Sequence, residues 1–176
     1  HAEVKTWVEG VMKLFTSRNF AILRPDGTPY GYARSIWSMI DMETRKPCDL
    51  LSLYDGDIVN YVVEPEENIC PIAGHGRFRF RNAELVRTID TYYSDIDING
   101  HVNSIKYIEH MLNFLPLEIF RSHSVHRVEV SYSLECFYRE RLSVFMDKKE
   151  DCHEYDVEIR KETGETACRA KIIFGI

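Results

Sequence analysis

The chain has 176 residues and a net charge of −6, and 44% of its residues are hydrophobic and 28% charged. This is the composition of one ordinary globular domain or two small ones, and it excludes a disordered, collagen-like or coiled-coil chain. Proteins that bind nucleic acids are normally basic, so a nucleic-acid partner is not expected for this acidic chain.

The sequence lacks the motifs that are typical of several further classes of protein. No apolar run approaches the roughly 20 residues that span a bilayer, and the first residues form no signal peptide, so we expect a cytoplasmic protein without a membrane span. The five cysteines show no CxxC spacing, and their odd number indicates free thiols. Zinc-type His/Cys spacing, GxGxxG, a P-loop and GxSxG are all absent, so neither a metal nor an organic cofactor is expected.

Two stretches, one in each half of the chain, share a strand–turn–strand pattern. Residues 18–27 end in Asp-Gly and precede a β-rich run over 30–40, and residues 154–164 end in Thr-Gly and precede a run over 165–174. Their glycines are 164 − 27 = 137 residues apart. We interpret the pattern as a duplicated unit.

The segment between the two copies, residues 43–85, contains three prolines and is predicted to be a long, irregular connection. Near its end, arginine alternates with phenylalanine. An extended backbone would place the arginines on one face, where they form a basic stripe in an acidic chain. The three arginines are Arg77, Arg79 and Arg81.

The second half predicts one strand, one helix and four further strands. The first strand is expected over 86–93, and the helix over 101–115, where Pro116 is an end signal. The predicted apolar stripe of the helix follows 3–4 spacing and consists of Ile105, Ile108, Leu112 and Leu115. The later strands are expected over 125–138, 142–148, 155–160 and 167–174. A helix that buries its stripe against an antiparallel sheet is an α+β arrangement.

Polar residues cluster just before this helix. Asp97, Asn99 and His101 alternate along the chain, so an extended segment would point all three to one side. The helix start adds unpaired N–H groups and a partial positive charge, which suits a reaction that develops negative charge on a carbonyl oxygen. The alternative is that these residues only form a turn and a helix cap beside a surface histidine.

The residues themselves carry a resemblance to a known family. DIDINGHVNSIKYIEHML, over 95–112, closely resembles the D-x-N-x-H-V-N-(N/S)-x-K-Y-I segment of the acyl-acyl carrier protein thioesterases. Residues 132–136 are similar to the family's Y-x-x-E-C segment. The stretch from Thr6 to Pro47 resembles its T-W…R-x-F…D-G…S-x-W…I-D-x-x-T-R-x-P pattern. The resemblance therefore covers essentially the whole chain.

The resemblance implies an α+β tandem hotdog fold, in which a long helix is wrapped by an antiparallel β-sheet. Residues 1–85 would form a first hotdog with its connecting linker, and residues 86–176 a second, catalytic hotdog. The family pattern includes an N-terminal stretch with a long helix that these residues do not contain. The first hotdog is therefore expected to be incomplete in this chain.

The implied function is hydrolysis of a fatty acyl thioester to a free fatty acid and the carrier, which terminates fatty acid synthesis. The partner would be acyl carrier protein, and the chain could in addition form a homodimer. The expected location is a bacterial cytoplasm, or the plastid stroma if the protein comes from a plant. Two rival functions remain, a hotdog thioesterase acting on acyl-CoA and a non-catalytic acyl-binding hotdog protein.

Two mechanisms fit the residues that match the family pattern. In the first, Glu135 is the general base or the nucleophile, Asp97 holds and polarises His101, and Asn99 orients the water or the carbonyl. The oxyanion would be bound by two backbone N–H groups at the helix start, those of Val102 and Asn103.

In the second mechanism, Cys136 attacks as a thiolate with His101 as its base and Asn99 as the orienting group. Glu135 and Cys136 are neighbours on a predicted strand, so their side chains should face opposite sides of the sheet. Because free cysteine is among the most buried residue types, we assign Cys136 to the core and favour Glu135.

Two further sets of residues are candidate binding sites. Aromatic and long apolar side chains of the first half could line an acyl tunnel, although an ordinary core role explains them equally well. These candidates are Trp7, Trp37 and Met39. Acyl carrier protein is strongly acidic, so its encounter with an acidic chain requires a local basic patch. The candidate patch is the stripe Arg77, Arg79 and Arg81.

Overall fold

The computed structural model describes residues 1–72, 74, 78, 80, 82–149 and 153–175, and the chain divides into two compact units, His1–His75 and Gly76–Ile176. The stripe Arg77, Arg79 and Arg81 lies outside the described residues. The division into hotdog units at residues 85 and 86 stays a prediction.

The first unit contains a three-stranded antiparallel sheet. The turn predicted at Asp-Gly joins its second and third strands: Asp26 Oδ1 accepts a hydrogen bond from the amide of Thr28 at 2.9 Å, and Gly27 has a φ of 83°. A side chain would be strained at that φ, so the glycine is required there. In chain order and in spatial order the strands are β1 (Glu3–Val11), β2 (Thr16–Leu23) and β3 (Pro29–Trp37).

The connection is more regular than its composition predicts. A 3-10 helix covers Leu50–Tyr61 and is capped by Asp49, whose side chain accepts from the amide of Leu51. A shorter 3-10 turn covers Pro65–Glu67. Prolines are compatible with such turns, because the first residues of a helix need no intrahelical N–H bond. The prediction of an irregular connection is therefore wrong for these residues.

A side-chain network ties the connection to the first sheet. Asn68 Oδ1 accepts hydrogen bonds from Trp7 Nε1 and Asn19 Nδ2, both at 3.0 Å. Arg34 Nε donates to Asn19 Oδ1 at 3.1 Å, and Asn19 itself is fully buried. A buried amide is stable in such a place because each of its polar atoms has a partner.

The second unit contains a five-stranded antiparallel sheet with the order β4-β6-β7-β8-β5. Every predicted strand exists, but the predicted strand over 125–138 ends six residues early, at Tyr132. The amides of Ser133 and Leu134 both donate to the carbonyl of Ala167, so the regular ladder stops there. The strands are β4 (Glu84–Asp90), β5 (Ser124–Tyr132), β6 (Arg141–Lys149), β7 (Glu154–Lys161) and β8 (Thr166–Gly175).

The predicted helix is present as α1 (Ser104–Leu112), three residues shorter at each end, and α2 (Leu117–Ser122) follows it. The predicted stripe is partly wrong, since Ile105 is 56% exposed. The fully buried positions of α1 are instead Tyr107 and Met111, one turn apart. Helix and sheet share one core, which includes Leu115, Leu142, Val144, Val157, Ile159, Ala170 and Ile172. This helix-on-sheet packing is the α+β arrangement predicted for the second half.

The opposite face of this sheet carries buried charges. Asp156 and Glu158 on β7 are buried, and each is paired with cations from neighbouring strands. Lys149 Nζ lies 2.7 Å from an oxygen of Asp156, and Arg169 Nη2 lies 2.8 Å from an oxygen of Glu158. Burial alone would raise the pKa of Glu158, but hydrogen bonds from Thr166, Arg160 and Arg169 hold it below its ordinary value of 4.5.

Acid is expected to destabilise the second unit through this carboxylate. Because the pKa of Glu158 is lower in the folded chain, its stabilisation is complete well above pH 4.5, and it is lost as pH falls through the lower folded-state pKa. We expect Glu158→Gln to reduce the free energy of unfolding by about 1–3 kcal/mol at pH 7 and by less at pH 3, in denaturant titrations. The control is Glu162→Gln, at an exposed position. If the free energy of unfolding changed with pH in the same way in Glu158→Gln and in the wild type, the predicted role of Glu158 in acid destabilisation would be wrong.

Candidate active site

The loop between β4 and α1 is shaped by Asp97. Its Oδ1 accepts from the amide of Asn99 at 2.8 Å and from the amide of His101 at 3.4 Å, and its own amide donates to the carbonyl of His101 at 2.9 Å. Gly100 completes the turn with a φ of 81°, which favours glycine. Such side-chain-to-backbone bonds are typical of an Asx turn.

This geometry corrects the role expected for Asp97. The predicted role of its carboxylate is to hold and polarise the imidazole of His101. The carboxylate instead binds the main chain of the turn, including the amide of His101. Asp97 therefore determines where the backbone of His101 lies, and among the described residues the imidazole has a different carboxylate beside it.

That carboxylate belongs to Glu135. Its Oε2 lies 3.5 Å from Nε2 of His101, and the two side chains are 50% and 29% exposed. The ring of Phe137 packs edge-on against the imidazole, with 5.1 Å between the ring centroids. The structure thus brings together two of the predicted site residues that are 34 positions apart in the sequence, at a place that solvent can reach.

The two residues are linked by a backbone hydrogen bond. The amide of Val102 donates to the carbonyl of Cys136 at 2.8 Å. Val102 follows His101 and Cys136 follows Glu135, so this one bond joins the two chain segments directly beside the imidazole–carboxylate pair. Because the bond joins main-chain atoms next to both residues, it limits the distance between the side chains of His101 and Glu135.

The same bond corrects the predicted oxyanion site. The amide of Val102 is occupied by Cys136, and the amide of Asn103 donates to the carbonyl of Asp95 at 2.8 Å. Neither amide is therefore available to an oxyanion. Two residues further on, the amide of Ile105 donates to the side chain of Asn103 at 3.0 Å. Ser104 is the first residue of α1, a position whose amide has no acceptor within the helix.

Cys136 lies in the core, although not for the reason that the sequence suggested. It follows β5 in a non-strand segment, so the alternation of a strand does not apply to it. Its side chain is fully buried, and burial raises the pKa of its thiol above the ordinary 9.0. The hydroxyl of Tyr107 and the carboxyl of Glu140 are its polar neighbours. A buried, protonated thiol is poorly suited to nucleophilic attack.

A buried carboxylate for which the sequence predicts no role, that of Asp95, lies at the base of the loop. Asp95 Oδ2 accepts from the amide of Tyr92 at 2.7 Å, and Asp95 Oδ1 lies 3.0 Å from Nε2 of His110 on α1. These contacts join the loop to the helix that follows it. Both residues lie in the segment 95–112, but the periodicity of the helix and the alternation of a strand do not predict a contact between them.

The candidate acyl-binding residues do not form one cluster. Trp7 pairs across the ladder with Asn19, and Trp37 pairs with Thr16. Asn19 and Thr16 are three residues apart on β2, so the two tryptophans lie on opposite faces of the sheet. The indole of Trp7 is engaged with Asn68, whereas Trp37 is 57% exposed and Met39 is 40% exposed.

The described part of the chain holds neither a cluster of metal-binding side chains nor a helix that could span a membrane. It contains no group of three or more His, Cys, Asp or Glu side chains arranged to hold a metal ion. None of its helices is both long enough and apolar enough to cross a membrane.

Comparison with known protein families gives a consistent result for both halves of the chain. Residues 1–55 match the family model of the acyl-ACP thioesterase N-terminal domain, and residues 81–175 match that of the C-terminal domain. An acyl-[acyl-carrier-protein] hydrolase of Cuphea viscosissima is 28% identical over 136 residues, which are 76% of this chain and 33% of that protein. The chain thus spans about a third of the length of this curated relative.

Solved structures agree with the family match. An acyl-ACP thioesterase from Bacteroides thetaiotaomicron is 45% identical, with a TM-score of 0.86 over 98% of this chain and 68% of that one. The 12:0-ACP thioesterase of Umbellularia californica is 19% identical and shares the fold, with a TM-score of 0.78 over 99% of this chain and 67% of its own. By sequence, by family model and by its hotdog architecture, the chain belongs to the acyl-ACP thioesterase family.

Proposed function

We propose that this chain hydrolyses the thioester between a fatty acyl group and acyl carrier protein, releasing the fatty acid and the carrier thiol and so terminating fatty acid synthesis. The observation that carries the proposal is the His101–Glu135 pair, 3.5 Å apart at an accessible site. The relatives support the substrate class, because the proteins from Cuphea viscosissima and Bacteroides thetaiotaomicron are named as acyl-ACP hydrolase and thioesterase.

In the proposed reaction, the carboxylate of Glu135 removes a proton from a water molecule that attacks the thioester carbonyl carbon. His101 lies beside the carboxylate and positions the water or shares its proton. The side-chain amide of Asn99 and the backbone amide of Ser104 are the proposed donors to the oxyanion, since the amides of Val102 and Asn103 are occupied.

Collapse of the tetrahedral intermediate breaks the carbon–sulfur bond. The leaving group is a thiolate whose conjugate acid has a pKa of about 8.5, so it departs with little assistance. The proton taken from water by Glu135 then passes to the thiolate or to solvent, which returns the carboxylate to its starting state. The cycle uses one water and needs no metal or organic cofactor.

Acyl carrier protein is the proposed partner, and a bacterial cytoplasm or plant plastid stroma the proposed location. The stripe Arg77, Arg79 and Arg81 stays our candidate docking patch, and a homodimer stays an open prediction. Trp7, Trp37 and Met39 stay candidates for contact with the acyl chain, and the two tryptophans lie on opposite faces of the first sheet.

The substrate proposal is tested by the release of free fatty acid, detected by mass. The same acyl chain should be supplied on acyl carrier protein and on CoA, at equal concentrations. We expect a kcat/KM at least tenfold higher for the carrier-linked chain. An equal or higher value for the CoA thioester would instead support an acyl-CoA thioesterase, and tight acyl binding without turnover would support a non-catalytic binding protein.

Replacing Glu135 and Cys136 one at a time distinguishes general-base catalysis by the carboxylate from nucleophilic attack by the thiol. We expect Glu135→Ala to lower kcat at least a hundredfold, because it removes the base. Cys136→Ser should retain kcat within about threefold, since the buried thiol takes no part in the reaction. The measurement is steady-state turnover of an acyl-carrier thioester, with folding checked by circular dichroism. The opposite ranking of the two variants would refute the assignment.

Two substitutions of Asp97 distinguish a role in holding the turn from a role of its negative charge in the reaction. Asp97→Asn keeps the Oδ1 acceptor for the amides of Asn99 and His101, so we expect kcat/KM to stay within about threefold of wild type. Asp97→Ala loses the acceptor and should lower kcat/KM at least tenfold. If Asp97→Asn were as inactive as Asp97→Ala, the negative charge would itself act in the reaction.

A further inference from the structure

The turn that follows Glu135 and Cys136 is held by one buried threonine from another part of the chain. Thr91 is fully buried, directly after β4. Its hydroxyl donates to the carbonyl of Phe137 at 2.6 Å and accepts from the amide of Glu140 at 3.0 Å. Its main chain contributes too: the amide of Thr91 donates to the carbonyl of Glu140, and its carbonyl accepts from the amide of Arg139.

These bonds are the last of three sets of hydrogen bonds that anchor the segment 133–140. At its beginning, the amides of Ser133 and Leu134 donate to the carbonyl of Ala167. In its middle, the carbonyl of Cys136 accepts from the amide of Val102. The segment contains no strand or helix, so its shape depends on such anchors, and Glu135 lies between the first and the second.

The residues that follow Thr91 hold the other half of the site. Tyr92 donates its amide to Asp95, and the carbonyl of Asp95 accepts from the amide of Asn103, two residues after His101. The short segment 91–95 therefore contacts both the segment that carries Glu135 and the loop that carries His101. A shift in either contact would change the 3.5 Å separation of the reactive pair.

We propose that Thr91 is a positioning residue, whose hydroxyl holds the segment 133–140 so that Glu135 faces His101. The proposal rests on the proposed hydrolase function, because it requires Glu135 to act in the reaction. A hydroxyl is needed because one atom must donate to a carbonyl and accept from an amide at the same time. Serine retains both bonds, and valine, which has nearly the same shape, retains neither.

The test compares Thr91→Val with Thr91→Ser on an acyl-carrier thioester. We expect Thr91→Val to lower kcat at least tenfold with KM within twofold, because it displaces the base without removing substrate contacts. Thr91→Ser should restore kcat to within about threefold of wild type. Assays are run well below the melting temperature of each variant, so that the folded fraction is complete.

A variant of the core serves as a control that distinguishes a positioning role of Thr91 from a general loss of protein stability. Ile172→Ala removes a fully buried side chain of β8 and is expected to lower the melting temperature without changing kcat. If Thr91→Val lowered only the melting temperature and kept kcat, Thr91 would be merely structural and the proposal would be overturned. Equal losses of kcat in Thr91→Val and Thr91→Ser would also overturn it, since serine keeps the hydroxyl.

A double-mutant cycle tests whether Thr91 acts through Glu135. In the Glu135→Ala background, adding Thr91→Val should change the residual rate by less than twofold, because the group being positioned is gone. An undiminished tenfold loss in that background would show that Thr91 acts on another group. Absence of turnover by the wild-type chain would instead refute the proposed hydrolase function itself.

Discussion

The hydrogen bond from the amide of Val102 to the carbonyl of Cys136 is the interaction on which the site depends. It joins the start of helix α1 to the segment after β5, and each of its residues directly follows one member of the His101–Glu135 pair. Backbone groups are more rigid than long side chains, so a bond between them fixes the reactive groups better than a direct side-chain contact could. The cost is that this amide cannot also bind an oxyanion.

The rest of the second unit supports that bond from both sides. Thr91 holds the turn after Cys136, and Asp95 holds the loop before Val102 and reaches α1 through His110. Thr91 and Asp95 are buried, so a lost bond at either residue would leave an unpaired donor or acceptor in a medium of low dielectric. Such a network resists displacement and thereby defines one geometry for a loop and a turn that have little regular secondary structure.

The chemistry follows from where two neighbouring residues lie. Glu135 is half exposed beside an imidazole, where a carboxylate can accept a proton from water. Cys136, one residue later, is in the core with a pKa raised by burial, and it contributes its carbonyl rather than its sulfur to the site. Asp97 also has a structural role, because its carboxylate holds the backbone from which the side chain of His101 projects.

Local patterns in the sequence determined most of the elements. The two hairpins, the helix α1, the strands of the second half and the motif that resembles the acyl-carrier thioesterases could be predicted, whereas the 3-10 helix Leu50–Tyr61 and α2 were not. The tertiary structure alone decided the contacts between distant residues, namely where β5 ends, which face of α1 is buried, and which amides near His101 are occupied. Periodicity and spacing describe one segment at a time. No local pattern predicts the structural roles of Thr91 and Asp95, because these roles arise from partners that folding brings to them: the turn from Phe137 to Glu140 for Thr91, and helix α1 for Asp95.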